Sequence, residues 1–317
     1  MGSNLAVFES QEHKPDAGSV SRMACLLCDA NSSRPVWRRG KLRIDECLGC
    51  GVLFTAERPS EQELLSLYSE DTLISDRPDP NLRETGPPPG WKKKEHEDLL
   101  DHLSSRGCKS GLLLDVGCFS GFFLANAQAR GFTVAGVEPN LDAYLHVTRF
   151  FGFEVFHGSL TAAHFSDNRF SAVTFHDVIE HVSDPVSELR ETFRVLRPGG
   201  ILLLTTPNAR GLLQRFVKAK RRLTRQPWCP IDDVPWHLWG FSPSTLSLCV
   251  KKAGFYADEC IWLEPSPFST NIAAGSSGWK RMSLRFVAHL SKLLRMSDRF
   301  GMLAQKPFSG SEGRHSA

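Results

Sequence analysis

Two closely spaced cysteine pairs constrain this chain more than any other feature. Cys25, Cys28, Cys47 and Cys50 read C-x2-C-x18-C-x2-C. Each C-x2-C puts two thiols on one tight turn, and two such turns can close a tetrahedral sulfur cage of the kind that suits Zn2+. Between the pairs, Val36, Trp37, Leu42 and Ile44 are separated by polar or basic residues, a pattern that predicts short strands. The expectation is a zinc ribbon over 22–56, with Cys25, Cys28, Cys47 and Cys50 as the metal ligands. So short a segment buries too little to fold alone, and bound metal would supply most of its folding free energy. The competing readings are four unrelated buried thiols, or a redox C-x-x-C, for which there is no thioredoxin-like context. The remaining five of the nine cysteines (Cys108, Cys118, Cys229, Cys249 and Cys260) stand singly.

Composition removes several function classes. The chain has 317 residues and a net charge of +3, too balanced for a polybasic nucleic-acid binder, although a local basic patch fits. No run of 18 apolar residues occurs, so no membrane-spanning helix is expected. The N-terminal MGSNLAVFESQEHKPD has neither a basic n-region nor an apolar h-region, so no signal peptide is expected and a cytoplasmic location follows. Residues 1–21 are polar and expected to be disordered, and 57–108 reads as a helical linker. That linker contains helical spacing at Glu61–Tyr68 and Trp91–Arg106, on either side of the Pro- and Gly-rich stretch 75–90.

From Gly111 onward, apolar runs alternate with helical patterns. Strands are expected at Leu112–Val116, Phe132–Val137, Phe153–Phe156, Ala172–His176, Ile201–Thr205 and Tyr256–Leu263, with a closing strand at Arg299–Lys306. Helices are expected at Phe122–Arg130, Leu141–Phe151, Pro185–Leu196 and Ser242–Ala253. Such alternation implies an α/β fold: a seven-stranded, Rossmann-like parallel sheet with helices on both faces, preceded by the small ribbon. A ligand then belongs at the C-terminal ends of the strands. Within 109–317, the stretch 208–240 breaks the alternation and reads as a lid insert, and 279–296 reads as a basic amphipathic helix. The insert carries Lys218, Lys220, Arg221, Arg222 and Arg225 with Trp228, Trp236 and Trp239. These could line an aromatic, sugar or nucleotide pocket, or form the underside of a lid with a solvated basic face.

LLLDVGCFSG is a strand entering a glycine-bearing turn that opens a helix, an arrangement that offers backbone N–H groups to a ligand. Glu138, at the end of the next strand in GVEPN, can accept both hydroxyls of a ribose. By itself this fits any nucleotide-type cofactor. LLLDVGCFSGFFL, GVEPN, FSAVTFHDVIEHVSDP and LRPGGILLLTTPN together resemble the successive motifs of class I S-adenosylmethionine-dependent methyltransferases, over about 111–263 and on to 306. The resemblance implies S-adenosylmethionine as cofactor. It implies Asp115, Gly117, Cys118, Phe119 and Gly121 beside the methionine and ribose, with Glu138 on the ribose. It further implies Ser159 and Leu160 flanking the adenine, and His176 and Asp177 bordering the methionine. Phe119 stands where the family's middle glycine is usual, and Ser171 where an Asp is usual. A Rossmann-like domain that no longer binds cofactor is the bland alternative.

Asp177, Glu180 and His181 fall at i, i+3 and i+4, and would share one face if a helical turn follows the fourth strand. With His237, in PWHLWGFSP, they could hold a second divalent metal that orients an acceptor hydroxyl. D-x-x-E-H…H is similar to the E-x-x-E-H…H site of small-RNA 2′-O-methyltransferases and ubiquinone-pathway O-methyltransferases, with the shorter Asp177 in the first position. Alternatively His181 or His237 is a general base, or Glu180 and His181 only cap and pack. The expected function is O-methylation of a small molecule, glycan precursor or secondary metabolite. The alternatives are C- or N-methylation of a nucleotide-linked sugar or RNA, and a non-catalytic ribbon module. RNA is the less favoured acceptor because the charge is so small. The 279–296 helix would pack on its own domain or touch an anionic membrane surface.

Overall fold

The computed structural model describes residues 24–40, 42–56, 90–225, 228–231, 236–263 and 290–308. The expected tail 1–21, the Glu61–Tyr68 helix and most of the basic helix 279–296 lie outside the described residues. The strands are β1 (Ser33–Arg39), β2 (Leu42–Cys47), β3 (Leu53–Thr55), β4 (Gly111–Val116), β5 (Phe132–Glu138), β6 (Glu154–His157), β7 (Phe170–His176), β8 (Leu196–Pro207), β9 (Trp239–Gly240), β10 (Tyr256–Trp262) and β11 (Arg299–Gln305). The helices are α1 (Gly90–Ser105), α2 (Phe122–Ala129), α3 (Leu141–Phe150), α4 (Pro185–Val195), α5 (Leu212–Leu223) and α6 (Pro243–Lys252). Between 90 and 263 the ends fall close to those the sequence pattern predicts, except at β8. There Arg197-Pro198-Gly199-Gly200, ahead of the expected strand Ile201–Thr205, is absorbed into a longer strand as a bulge, and pairing with β7 jumps from Phe170↔Leu196 to Ala172↔Ile201.

Two compact units are assembled from separated stretches of chain. One comprises 59–205, 250–259 and 302–317. Its sheet runs β10-β11-β8-β7-β4-β5-β6, with parallel pairing of β4 with β5, β4 with β7, β5 with β6 and β7 with β8. The central strands are continuous apolar runs because both faces are covered: Leu113, Leu114, Ala172, Val173, Phe175, Leu202, Leu203 and Leu204 are all completely buried. Helix α1 contributes an apolar face, with Leu99, Leu100 and Leu103 buried. Asn140 caps α3 through Ala143 N–H at 2.9 Å, and Asp184 caps α4 through Val186 and Ser187. Each cap fixes where the chain leaves its strand end and begins to wind.

The other unit comprises 1–58, 206–249 and 260–301. Its sheet has the order β1-β2-β3-β9, so the insert supplies the fourth strand of the ribbon's sheet. β1, β2 and β3 form an antiparallel meander, and β9 adds to β3 through Leu53↔Gly240 and Phe54↔Trp239. Its core includes a cluster of Ile44, Leu53 and Ile231 with Val36, Trp37, Ala209 and Cys229 packed around them, and Leu27, Val52, Phe54, Leu238, Trp239 and Phe241 are buried as well. Among the described residues no helix is long and apolar enough to cross a membrane.

Candidate active site and four-cysteine centre

The sheet order places β4 between β5 and β7, so the chain's path reverses beside β4. A reversal of this kind opens a crevice at the strand C-termini. Asp115 in β4, Glu138 ending β5, Ser159 and Leu160 after β6, and His176 ending β7 all belong to that rim. After β4 the backbone turns sharply. Gly117 has φ +71°, and a Cβ there would stand 2.6 Å from Val178 Cγ2, so only glycine fits. Phe119 also takes a positive φ, +44°, which is uncomfortable for a bulky side chain. That conformation turns its N–H onto Glu138 Oε2 at 2.7 Å. The other carboxylate oxygen, Oε1, accepts from Asn140 N–H at 2.8 Å. The two hydrogen bonds hold the Glu138 carboxylate in place between the turn after β4 and the start of α3.

Asp115 Oδ1 accepts from Thr174 Oγ1 at 2.7 Å and lies 3.8 Å from His176 Nε2. Both carboxyls are buried, Asp115 2% and Glu138 4% exposed. Burial pushes Asp115 up to about 7, with the Thr174 hydrogen bond opposing and the nearby Glu138 charge reinforcing it. Burial likewise pushes Glu138 up to about 7 against its two backbone hydrogen bonds. Two carboxylates held at such a cost point to a ligand that donates hydrogen bonds to them.

Cys118 follows Gly117 in the same turn, within the field of Asp115 and Glu138. Its thiol is buried, a Cβ on Gly136 would meet its Sγ at 2.7 Å, and burial raises its pKa well above the ordinary thiol value. Leu160 is fully buried, and Ser159 Oγ accepts from Ala162 N–H at 3.3 Å, closing the turn after β6. Several partners at this rim escaped the sequence reading. Thr174 and Thr205 are polar residues inside apolar strands, a readable but ambiguous signal. His96 of α1 packs edge-on against Phe123 at 5.3 Å and lies 6.1 Å from the His176 ring. Nothing in the α1 sequence marks His96 as a neighbour of the rim.

The segment after β7 does not wind into a helix. Asp177 adopts φ +56°, its N–H donates to Thr205 O at 3.1 Å, and Thr205 Oγ1 donates to its Oδ1 at 3.2 Å. A single turn follows, closed by His181 N–H to Val178 O at 2.9 Å, and α4 starts only at Pro185. Asp177 therefore does not share a helical face with Glu180 and His181. Glu180 is buried and His181 half-buried; His237 belongs to the other unit, half-buried two residues before β9. The basic side chains of Lys218, Lys220, Arg221, Arg222 and Arg225 are exposed on and just after α5, with Lys218 Nζ 4.9 Å from the Trp228 ring centre. Trp239 is buried in β9.

The four cysteines converge. Their sulfurs lie within 4.8 Å of one another, with Cys25–Cys50 at 3.8 Å and Cys28–Cys47 at 3.5 Å. Zn–S bonds of about 2.3 Å in a tetrahedron require sulfur separations of about 3.8 Å, so the set fits that ion. The Cys25 thiol is lowered to about 5, first by its hydrogen bond with Cys50, which makes it the readiest thiolate.

The methyltransferase-domain family model matches residues 91–259, more than half of the chain. The chain belongs to that family. It is an S-adenosylmethionine-dependent methyltransferase. A Mycolicibacterium smegmatis protein named "probable S-adenosylmethionine-dependent methyltransferase" is 28% identical over 200 residues, covering 62% of this chain and 70% of that protein. A Pseudomonas fluorescens ubiquinone biosynthesis O-methyltransferase is 35% identical over 173 residues, covering 52% of this chain and 72% of its own length. Among solved structures, Haemonchus contortus phosphoethanolamine N-methyltransferase 2 with bound S-adenosyl-L-methionine aligns with TM-score 0.51 at 19% identity, covering 80% of this chain and 62% of that one. The [4+2]-cyclase SpnF aligns with TM-score 0.54 at 20% identity, covering 79% of this chain and 98% of that one. At these identities the structural matches establish the fold alone. In this methyltransferase the rim of β4, β5 and β7 fits the cofactor: two buried carboxyls can accept from ribose and amino groups, and the turn at Gly117 leaves no side chain in the way.

Proposed function

We propose that this methyltransferase acts on oxygen, on a hydroxyl of a small molecule, glycan precursor or secondary metabolite, and that Cys25, Cys28, Cys47 and Cys50 hold a structural Zn2+. The observation that carries the oxygen assignment is the 35% identity with a ubiquinone biosynthesis O-methyltransferase. The zinc assignment rests on four sulfurs at tetrahedral spacing. The bound cofactor supplies an electrophilic methyl group on a sulfonium. Everything else falls to the chain's own residues. Glu138 accepts the ribose hydroxyls while Phe119 and Asn140 N–H groups hold its carboxylate still. Asp115, steadied by Thr174, faces the methionine end. His181 or His237 takes the proton that the acceptor hydroxyl loses as its oxygen attacks, and Glu180 orients the histidine.

The test is transfer of isotopically labelled methyl to a panel of catechols, sugars and nucleotide-linked sugars, with product NMR to locate the new methyl. A methyl on carbon or nitrogen overturns the oxygen assignment. His181→Ala and His237→Ala are each expected to bind cofactor normally, and one of them to lose turnover about 100-fold or more. Full turnover in both removes the histidine base. Activity that chelation abolishes while the ribbon keeps its zinc, and that Mg2+ restores, would favour a second catalytic metal instead.

A further inference from the structure

The ribbon's sheet is incomplete without the insert, and the contacts that join them converge on one metal knuckle. Cys47 ends β2 and Leu53 begins β3, so the turn carrying Cys47 and Cys50 is the connection that sets β3 against β2. Within it, Gly51 N–H donates to Cys47 O at 2.9 Å, Cys47 N–H to Val52 O at 2.9 Å, and Cys50 N–H to Cys47 Sγ at 3.5 Å. β9 of the insert then pairs with β3, Thr55 N–H donates to Leu238 O at 2.8 Å, and the Phe54 and Trp239 rings lie 6.0 Å apart. Arg210, at the start of the insert, reaches the same knuckle. Its Nη2 donates to Gly51 O and to Glu46 Oε1, both at 2.8 Å. Gly51 has φ +78°, and a Cβ there would stand 2.9 Å from that Nη2, so the glycine makes room for the arginine. Ala209 N–H to Phe241 O at 2.9 Å closes the base of the insert. A buried cluster of Ile44 and Leu53 from the ribbon and Ile231 from the insert also joins the two pieces.

We infer that the four-cysteine centre is the anchor of the insert's two ends, 206–211 and 236–241: metal bound there fixes the segment that carries His237, and metal loss leaves cofactor affinity unchanged. Without the metal, the β2–β3 turn loses its constraint, β3 loses its place, and β9 and Leu238 lose their hydrogen-bonding partner. Arg210 is a positioning residue in this scheme, tying the first residues of the insert to the knuckle. The inference rests on the reading of the four cysteines as a zinc site. Coupling between two sites is reciprocal, so the insert must also retain the metal.

The test uses the full-length, zinc-loaded chain, with zinc content measured alongside amide hydrogen exchange. Chelation, or Cys50→Ser, is expected to raise exchange at least about tenfold in peptides covering 52–56 and 236–241. Exchange over 111–138 and the dissociation constant for S-adenosylmethionine are expected to stay within about twofold. Arg210→Ala keeps all four thiols and full zinc content, yet a competing chelator should withdraw the zinc about tenfold faster. Unchanged protection over 236–241 after metal loss overturns the inference, as does wild-type zinc release from Arg210→Ala. A purified chain that binds no zinc at all overturns the zinc reading itself, a failure that the metal analysis distinguishes from the other two.

Discussion

The rim of the large sheet and the four-cysteine centre are both built at turns that follow strands, yet they are held together by different means. The sheet rim stands on strands β4, β7 and β8, whose middle residues Leu113, Leu114, Val173, Leu202 and Leu203 are completely buried, and it holds two buried carboxyls with pKa values raised to about 7. The ribbon and insert bury a smaller apolar set, among them Leu27, Ile44, Val52, Phe54, Leu238 and Trp239, and gather four sulfurs beside it. A unit with a large apolar core can hold strained groups for function, whereas a small one leans on an added constraint such as a metal.

The largest way to break that contrast is Cys47→Ser. With apparent zinc affinities of about 10–16 kcal/mol in such sites, losing a ligand should unfold the ribbon and insert outright. Calorimetry should then show the transition of the large sheet surviving nearly unshifted; a single transition lost as a whole would deny the two regions their independence. The converse probe is Leu114→Ala in β4, completely buried. It should cost about 2–5 kcal/mol in the sheet unit while zinc content stays at its wild-type value.

Glu138→Gln is smaller still. It keeps the shape but removes the charge that ribose hydroxyls would meet, and should weaken S-adenosylmethionine binding by about 2–3 kcal/mol in a titration. The same carboxyl gives a pH signature. Glu138 titrates near 7 in the folded chain against an ordinary 4.5, and Asp115 near 7 against 3.8. The folded chain therefore holds protons that the unfolded chain has already released. The stabilisation that these two carboxyls give the cofactor-free protein is fully present below about pH 4 and is lost as pH rises through 7. A ligand that donates to the carboxylate reverses the preference. Cofactor affinity should be about tenfold weaker at pH 6 than at pH 8, and Glu138→Gln should flatten that slope. The smallest effect belongs to Phe119→Gly. Relief of the positive φ opposes the lost packing and the looser unfolded chain, so the free energy of unfolding should move by less than about 1 kcal/mol in either direction.

The large sheet was legible because its signal is local. Runs such as Leu113–Val116 and Ile201–Leu204 are apolar throughout, and the caps Asn140 and Asp184 stand where the helices begin. The four thiols were legible because the C-x2-C spacing is hard to produce for any other reason. What the sequence concealed is long-range. Nothing near Trp239 announces that two residues will join β3, some 185 positions earlier, as the gap from Phe54 to Trp239 requires. His96 is one of many polar residues on a charged helix until α1 packs its face inward. The i, i+3, i+4 spacing of Asp177, Glu180 and His181 misled for a physical reason: the left-handed backbone at Asp177 and the proline at 185 leave no room for a helix between them.

β11 lies between β10 and β8 in the large sheet. During synthesis β8 and β10 leave the ribosome first and must wait, β8 with one edge unpaired and β10 with no partner strand, until 299–305 follows them. The central strands can assemble early, but the far side of the sheet closes only when β11 has been made. A chain stopped short of Arg299 would present the open edge of β8 and an unpaired β10 to its neighbours, and the cell would meet it as a substrate for chaperones and proteases rather than as a shorter enzyme.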